Sequence, residues 1–100
     1  MSEKRMFQLS VPITAFDKEL TELHLRSAST ADARAIGALP YAIRQDQSVA
    51  LDLAVCAKYI SRLADIPGSS VDKLALPDFN QLAWEVAQHF LGQGSTSSES

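Results

Sequence analysis

Two stretches near the start of the chain alternate apolar and polar residues, and this alternation limits the fold more than any other feature of the sequence. Phe7, Leu9, Val11 and Ile13 fall on every second position, the period of a strand with one buried face. After the short polar segment Ala15-Phe16-Asp17-Lys18-Glu19, the pattern resumes with Thr21, Leu23 and Leu25, leaving Glu22, His24 and Arg26 on the other face. Two such runs across a short loop predict a β-hairpin. Its turn holds neither Gly nor Asn, so turn chemistry leaves the register open. Pro12 falls on the polar face near the strand end, where an edge tolerates the loss of one N–H. A hairpin alone is marginal in water, so the rest of the chain must cover its apolar face.

The rest of the chain reads as helices. Thr30 can cap a short first helix and Asp32 complements its dipole, before Gly37 and Pro40 stop it. The segment Tyr41 to Asp46 fits neither period. From Gln47 to Ile66 there is no Gly or Pro, and Val49, Leu53, Cys56, Ala57, Ile60, Leu63 and Ala64 recur at helical spacing. Lys58, Arg62 and Asp65 mark its solvated side, and Pro67-Gly68 ends it. Ser70 can cap a single turn to Leu74, and Pro77 suits the first position of a last helix with the core stripe Phe79, Leu82, Ala83, Val86 and Phe90. Gly92 closes that helix. The expected organisation is α+β, an N-terminal β-hairpin followed by three or four α-helices in one small domain. Residues 1–6 form a flexible N-terminus, 7–91 the domain and 92–100 a disordered Gly/Ser-rich tail.

One hundred residues can build one modest core and leave little for a deep active site. The formal net charge of −3 and the lack of a basic patch argue against nucleic acid. The single cysteine, Cys56, excludes an intrachain disulfide and any multi-cysteine zinc site. No apolar run approaches a membrane span, and no signal-peptide stretch follows Met1, so the expectation is a soluble protein made in the cytoplasm. His24 and His89 lie on polar faces, and no phosphate loop, HExxH or nucleophile elbow is present. Cys56 lies within an apolar stripe, which suits a small core residue. The expectation is a non-enzymatic binding protein without cofactor or metal.

The last helix carries more apolar surface than one packing face needs. At about 100° per residue, Trp84, Ala87 and Leu91 extend the core stripe to roughly half the circumference. Trp84 either packs beneath the hairpin or first helix, or forms with Ala87 and Leu91 a groove wall or subunit contact. Leu51 and Val55, with Tyr59, sit away from the core stripe of the long helix. They cover the Tyr41–Asp46 segment or meet another subunit. The candidate partner-binding residues are therefore Trp84, Ala87, Leu91, Leu51 and Val55, and a hydrophobic helical partner suits them.

The motif order is that of a known family. It runs Leu9-x-x-Pro12-Ile13, then Leu23-x-Leu25-Arg26, then Thr30-x-Asp32, then Leu63-Ala64-Asp65-Ile66-Pro67, then Leu74, Asp78-Phe79, Val86 and Phe90-Leu91. From about Leu9 to Leu91 this resembles the tail assembly chaperones of Mu-like and related contractile-tailed phages. The chain departs from that pattern at Asp17-Lys18, where the family tends to place a turn Gly. It departs again at Ala28, two residues after the Arg, where Pro is usual, and at Asp65, which is often Gly. The resemblance implies binding of the phage tape measure protein or another tail protein in the host cytoplasm, and absence from the mature virion. A homo-oligomer is compatible with it. Other readings are a prophage-borne relative that blocks another phage's tail assembly, and a small regulatory protein. On the residues alone, Thr30, Asp32 and Asp78 are cap and dipole partners, and Arg26 pairs with Glu22 or with an acidic neighbour.

Overall fold

The computed structural model describes residues 4–91. The expected tail 92–100, the Gly92 stop and the first three residues of the expected N-terminal extension lie outside the described residues. A long hairpin comes first, β1 (Lys4–Ala15) and β2 (Lys18–Arg26), followed by α1 (Thr30–Ile36). A second small hairpin, β3 (Tyr41–Ile43) and β4 (Val49–Leu51), precedes α2 (Leu53–Ala64), α3 (Gly68–Val71) and α4 (Leu76–Phe90). The architecture is the expected α+β arrangement, an N-terminal hairpin followed by four helices, with a second two-stranded sheet added.

The turn of the first hairpin is tighter than the polar segment suggests. Ala15 pairs with Lys18, and the two residues between them, Phe16 and Asp17, both take left-handed conformations with φ of 53° and 62°. A two-residue loop imposes this backbone, because only a turn of that hand matches the twist of the flanking strands. β1 also takes in Lys4–Met6, which the sequence reading assigns to the flexible N-terminus. They pair with Arg26, Leu25 and His24.

The alternation in β1 is broken once. Pairing runs from Lys4↔Arg26 to Gln8↔Glu22, then slips, and resumes at Ile13↔Leu20. The slip keeps Leu9 and Ile13 inside but turns Val11 out to 48% exposure, so Val11 is not on the core face. Extra residues on one strand bend it and re-aim its groups. Pro12 sits within this slip, where the missing N–H costs no ladder bond. Ser10 sits there too, and both its N–H and its Oγ–H donate to Asp78 Oδ2, at 2.9 and 3.0 Å. Asp78 is therefore more than a dipole partner in the first turn of α4. Its buried carboxylate holds the irregular part of β1 against that helix.

The long helix begins six residues later than expected, at Leu53 instead of Gln47. Local hydrogen bonds favour a turn over the helix. Asp46 Oδ1 accepts from the backbone N–H and the hydroxyl of Ser48, at 3.0 and 2.7 Å, and Gln47 adopts φ 70°. Arg44 N–H donates to Ser48 O, closing a hairpin that periodicity could not reveal in such short strands. Asp52 then caps α2 by accepting from Val55 N–H. Val49 and Leu51 consequently belong to β4, and Leu53, expected in the core stripe, is exposed. Asp65 ends the helix at φ 60°, the conformation that explains why Gly is favoured at such a position.

Three other assignments shift. Ser29, not Thr30, is the N-cap of α1, in a reciprocal capping box with Asp32. Ser70 lies inside α3 and caps nothing, and its hydroxyl donates instead to Thr14 O of β1 at 2.7 Å. In α4, Leu76 precedes Pro77, which takes the second helical position.

The core forms where α2 and α4 cover the inner face of the first hairpin. Leu9, Ile13, Leu23 and Leu25 meet Tyr59, Ile60, Leu63, Leu82 and Val86, all buried. Tyr59, expected off the core stripe, is fully buried. Its ring stands edge-on to Phe90 at 5.2 Å and its hydroxyl donates to Ala38 O at 2.8 Å.

One ionic cluster ties three elements together. Asp32 of α1 is almost fully buried and accepts two bonds from Arg26 of β2, each 2.7 Å, in fork geometry. Arg62 Nε of α2 adds a third at 2.6 Å, so Arg62 is not simply a solvated residue, and Ser29 N–H adds a fourth at 2.9 Å. Arg26 thus pairs with Asp32, not Glu22, which instead meets His24 at 2.8 Å. The Arg26 bonds outweigh the opposing effect of burial and, with Arg62 and Ser29, hold the Asp32 carboxyl well below the usual carboxylate range.

Two outcomes follow from these local geometries. Replacing the turn with Asn-Gly (Phe16→Asn, Asp17→Gly) relieves left-handed strain and raises stability by about 1 kcal/mol, or roughly 4–8 °C in Tm. Thermal melts followed by circular dichroism test this, and an unchanged or lower Tm refutes it. Asp32→Asn removes the charge and costs about 2–4 kcal/mol near neutral pH, because both arginines remain partly solvated. A depressed folded-state pKa stabilises above the unfolded value and is lost as pH falls toward the folded one. Wild type therefore weakens below about pH 4, and urea midpoints of Asp32→Asn fall less over that window.

Candidate partner-binding surface

The polar groups of the described residues offer little chemistry. No group of three or more His, Cys, Asp or Glu side chains is placed there to hold a metal ion. Cys56 is fully buried, and burial, with the charge of Asp52, pushes its thiol up to about 11. Its Sγ–H points to Pro40 O at 3.3 Å. A thiol in that state is a poor nucleophile. Asp32 is saturated by its arginines and Asp78 is held by Ser10. His89 is half-buried, its Nδ1 accepting the N–H of Ala28 at 3.3 Å. Among the described helices, none is long and apolar enough to cross a membrane.

The candidate apolar residues separate into two groups. Trp84 and Leu91 lie on one outer side of α4, 40% and 38% exposed. Seven residues apart, they stand two turns from each other along the helix. Leu51 is half-buried on β4. Ala87 is completely buried and Val55 nearly so, and both serve the interior with no face for a partner. Val55 shares the buried side of α2 with Cys56, Tyr59 and Leu63, so the core face of that helix is rotated away from Leu53, Ala57 and Ala64 and toward Val55.

A further exposed apolar feature lies at the other end of α4. There the first turns of α2 and α4 come together, and Leu53, Leu76, Pro77, Phe79 and Asn80 line an open depression of about 440 Å³. A contiguous hollow of about 340 Å³ shares Leu53, Leu76 and Phe79 and reaches Val71 and Leu74 below α3. Leu53 and Leu76 are the first residues of their helices, 52% and 77% exposed. Helical side chains lean toward the N-terminus, so a leucine at the first position overhangs the helix end with no preceding turn to lie on. Sequence reasoning missed both, placing Leu53 in the core stripe and treating Leu76 as the approach to Pro77. The readable signal was a leucine directly ahead of a helix-opening proline. Along α4, Leu76, Asn80, Trp84 and Leu91 fall within one quadrant at helical spacing. The depression and the Trp84–Leu91 patch therefore occupy the same side of the helix.

The described residues thus present apolar surface on a small folded scaffold, without a catalytic cluster. Neither a curated protein nor a solved structure matches the chain. The family model described as phage tail assembly chaperone proteins, E, or 41 or 14, matches residues 6–92, which takes in both hairpins, all four helices and the apolar side of α4. The chain belongs to this family of phage tail assembly chaperones.

Proposed function

We propose that this chaperone binds the tape measure protein of its phage and keeps it soluble in the host cytoplasm until the tail tube assembles, without entering the virion. The observation that carries the reading is the depression between the first turns of α2 and α4, with Leu53 and Leu76 more than half exposed at its rim. A contiguous apolar surface of this kind on a small domain marks a protein contact. Trp84 and Leu91 lie on the same side of α4, and half-buried Leu51 on β4 adds a further apolar side chain. Hydrophobic contacts of this kind are non-directional, which suits capture of an aggregation-prone client before its final partners exist.

Co-expression with the tape measure protein of its phage tests the proposal, scored by the soluble yield of that client. The wild-type chain raises the yield. Leu53→Asp, Leu76→Asp and Trp84→Asp each lower it about tenfold or more while keeping a native circular dichroism spectrum, because each side chain faces water. Val55→Asp and Ala87→Asp behave differently and unfold the domain. Retained rescue by the folded rim variants would remove this surface from the function. Absence of rescue by wild type would remove the tape measure protein as the client.

A further inference from the structure

We propose that α1 is an ion-latched lid, which swings away from the domain on its own and uncovers a cleft beside Tyr59 and Phe90. The inference is independent of the tape measure reading and rests on how α1 is attached.

A short helix normally docks through a buried apolar stripe. In α1 the only buried residue is Asp32. Ala33 and Ile36 are half-buried, and Thr30, Ala31, Arg34 and Ala35 are exposed. What holds α1 down is therefore mainly a set of charged hydrogen bonds, from Arg26 on β2 and Arg62 on α2. Such bonds exist only at short range and correct angle, so the attachment has two states, made or broken. An apolar stripe would loosen by degrees.

The flanks of α1 permit movement. On the N-terminal side Ala28 is held against the core with its N–H bonded to His89 Nδ1, and exposed Ser29 is the one residue between it and the helix. On the other side Gly37 follows at φ 77°, with no atom within 4 Å of the position a Cβ would occupy. A glycine in that conformation is a low-strain pivot. Past it, Ala38 and Leu39 are exposed, the Ala38 carbonyl accepts from the Tyr59 hydroxyl, and Pro40 is buried.

A gap already lies beside α1. Thr30 and Ala33 line one wall of an open cleft of about 280 Å³, and His89 and Phe90 at the end of α4 line the other. Phe90 leans edge-on against Tyr59, whose hydroxyl is tied to Ala38 O just after the pivot. Displacement of α1 widens this cleft and opens the Tyr59 ring to solvent. The buried core residues Leu9, Leu23, Leu63, Leu82 and Val86 lie in the first hairpin, α2 and α4, and α1 adds to that core only the half-buried Ile36.

Native-state hydrogen exchange on the full chain, resolved by element, tests the lid. In wild type, the amides of Ala33 to Gly37 exchange through an opening with weaker denaturant dependence than those of α2 and α4. In Asp32→Asn their protection falls about 100-fold or more, to near the unprotected rate, while α2 and α4 remain protected. Arg62→Gln keeps the Arg26 fork and shows a smaller loss in α1, again ahead of α2 and α4. This second variant decides the matter should Asp32→Asn fail to fold. Two results overturn the proposal: α1 amides that exchange in step with α2 and α4 in wild type, or variants in which α1 loses protection only together with the core.

Discussion

The apolar face of the first hairpin is the constraint on which the rest of the structure depends. Leu9, Ile13, Leu23 and Leu25 stand on one side of two strands that could not persist alone in water. α2 and α4 exist in their observed positions because Leu63, Leu82 and Val86 cover that side. The hairpin is bent to suit them. Its slip between Gln8 and Ile13 lets both Leu9 and Ile13 reach the core and brings Ser10 to Asp78. A regular ladder would keep strict alternation and place Val11 inward.

Around this layer the connections are polar and specific. Asp32 joins α1 to β2 and α2, Asp78 joins α4 to β1, and Ser70 joins α3 to β1. In each case a buried side chain bonds to a partner on another element, which is how a polar group tolerates the interior. These bonds also join residues that the sequence reading takes as separate motifs. Arg26 and Asp32, which look like unrelated fold markers when read as letters, are the two halves of one fork. Asp78 recurs as a helix starter and is also the acceptor for the slipped strand.

The apolar material outside the core collects at places where a small domain cannot bury it. Two helices that begin side by side leave their first leucines overhanging, and an outer side of α4 keeps Trp84 and Leu91 half-covered. For a family whose role is to attend other tail proteins during assembly, exposed apolar surface on a rigid scaffold is a physically sensible instrument. The gap between α1 and the end of α4 is a second, smaller cleft, and one of its walls is the helix that Asp32 ties to Arg26 and Arg62.

The sequence by itself determined the α+β class, the first hairpin with its inward residues on β2, the α4 core stripe and the family. Each of these rests on periodicity or on a motif repeated along the chain, and both are properties of local order. It also pointed to Trp84 and Leu91 as surplus apolar surface. The second hairpin escaped it, since strands of three residues carry no period and the Asp46–Ser48 turn was hidden in a run without Gly or Pro. That one error moved the start of α2 and put Leu51 in a helix instead of β4, while the faces of Leu53 and Val55 follow from a core arc rotated toward Val55 and Tyr59. Only the tertiary structure decided that Arg26 meets Asp32, that Ala87 is interior, and that Leu53 and Leu76 share one depression. Those outcomes depend on how separate elements come together in space, which the packing of the whole domain sets and no pattern along the chain records.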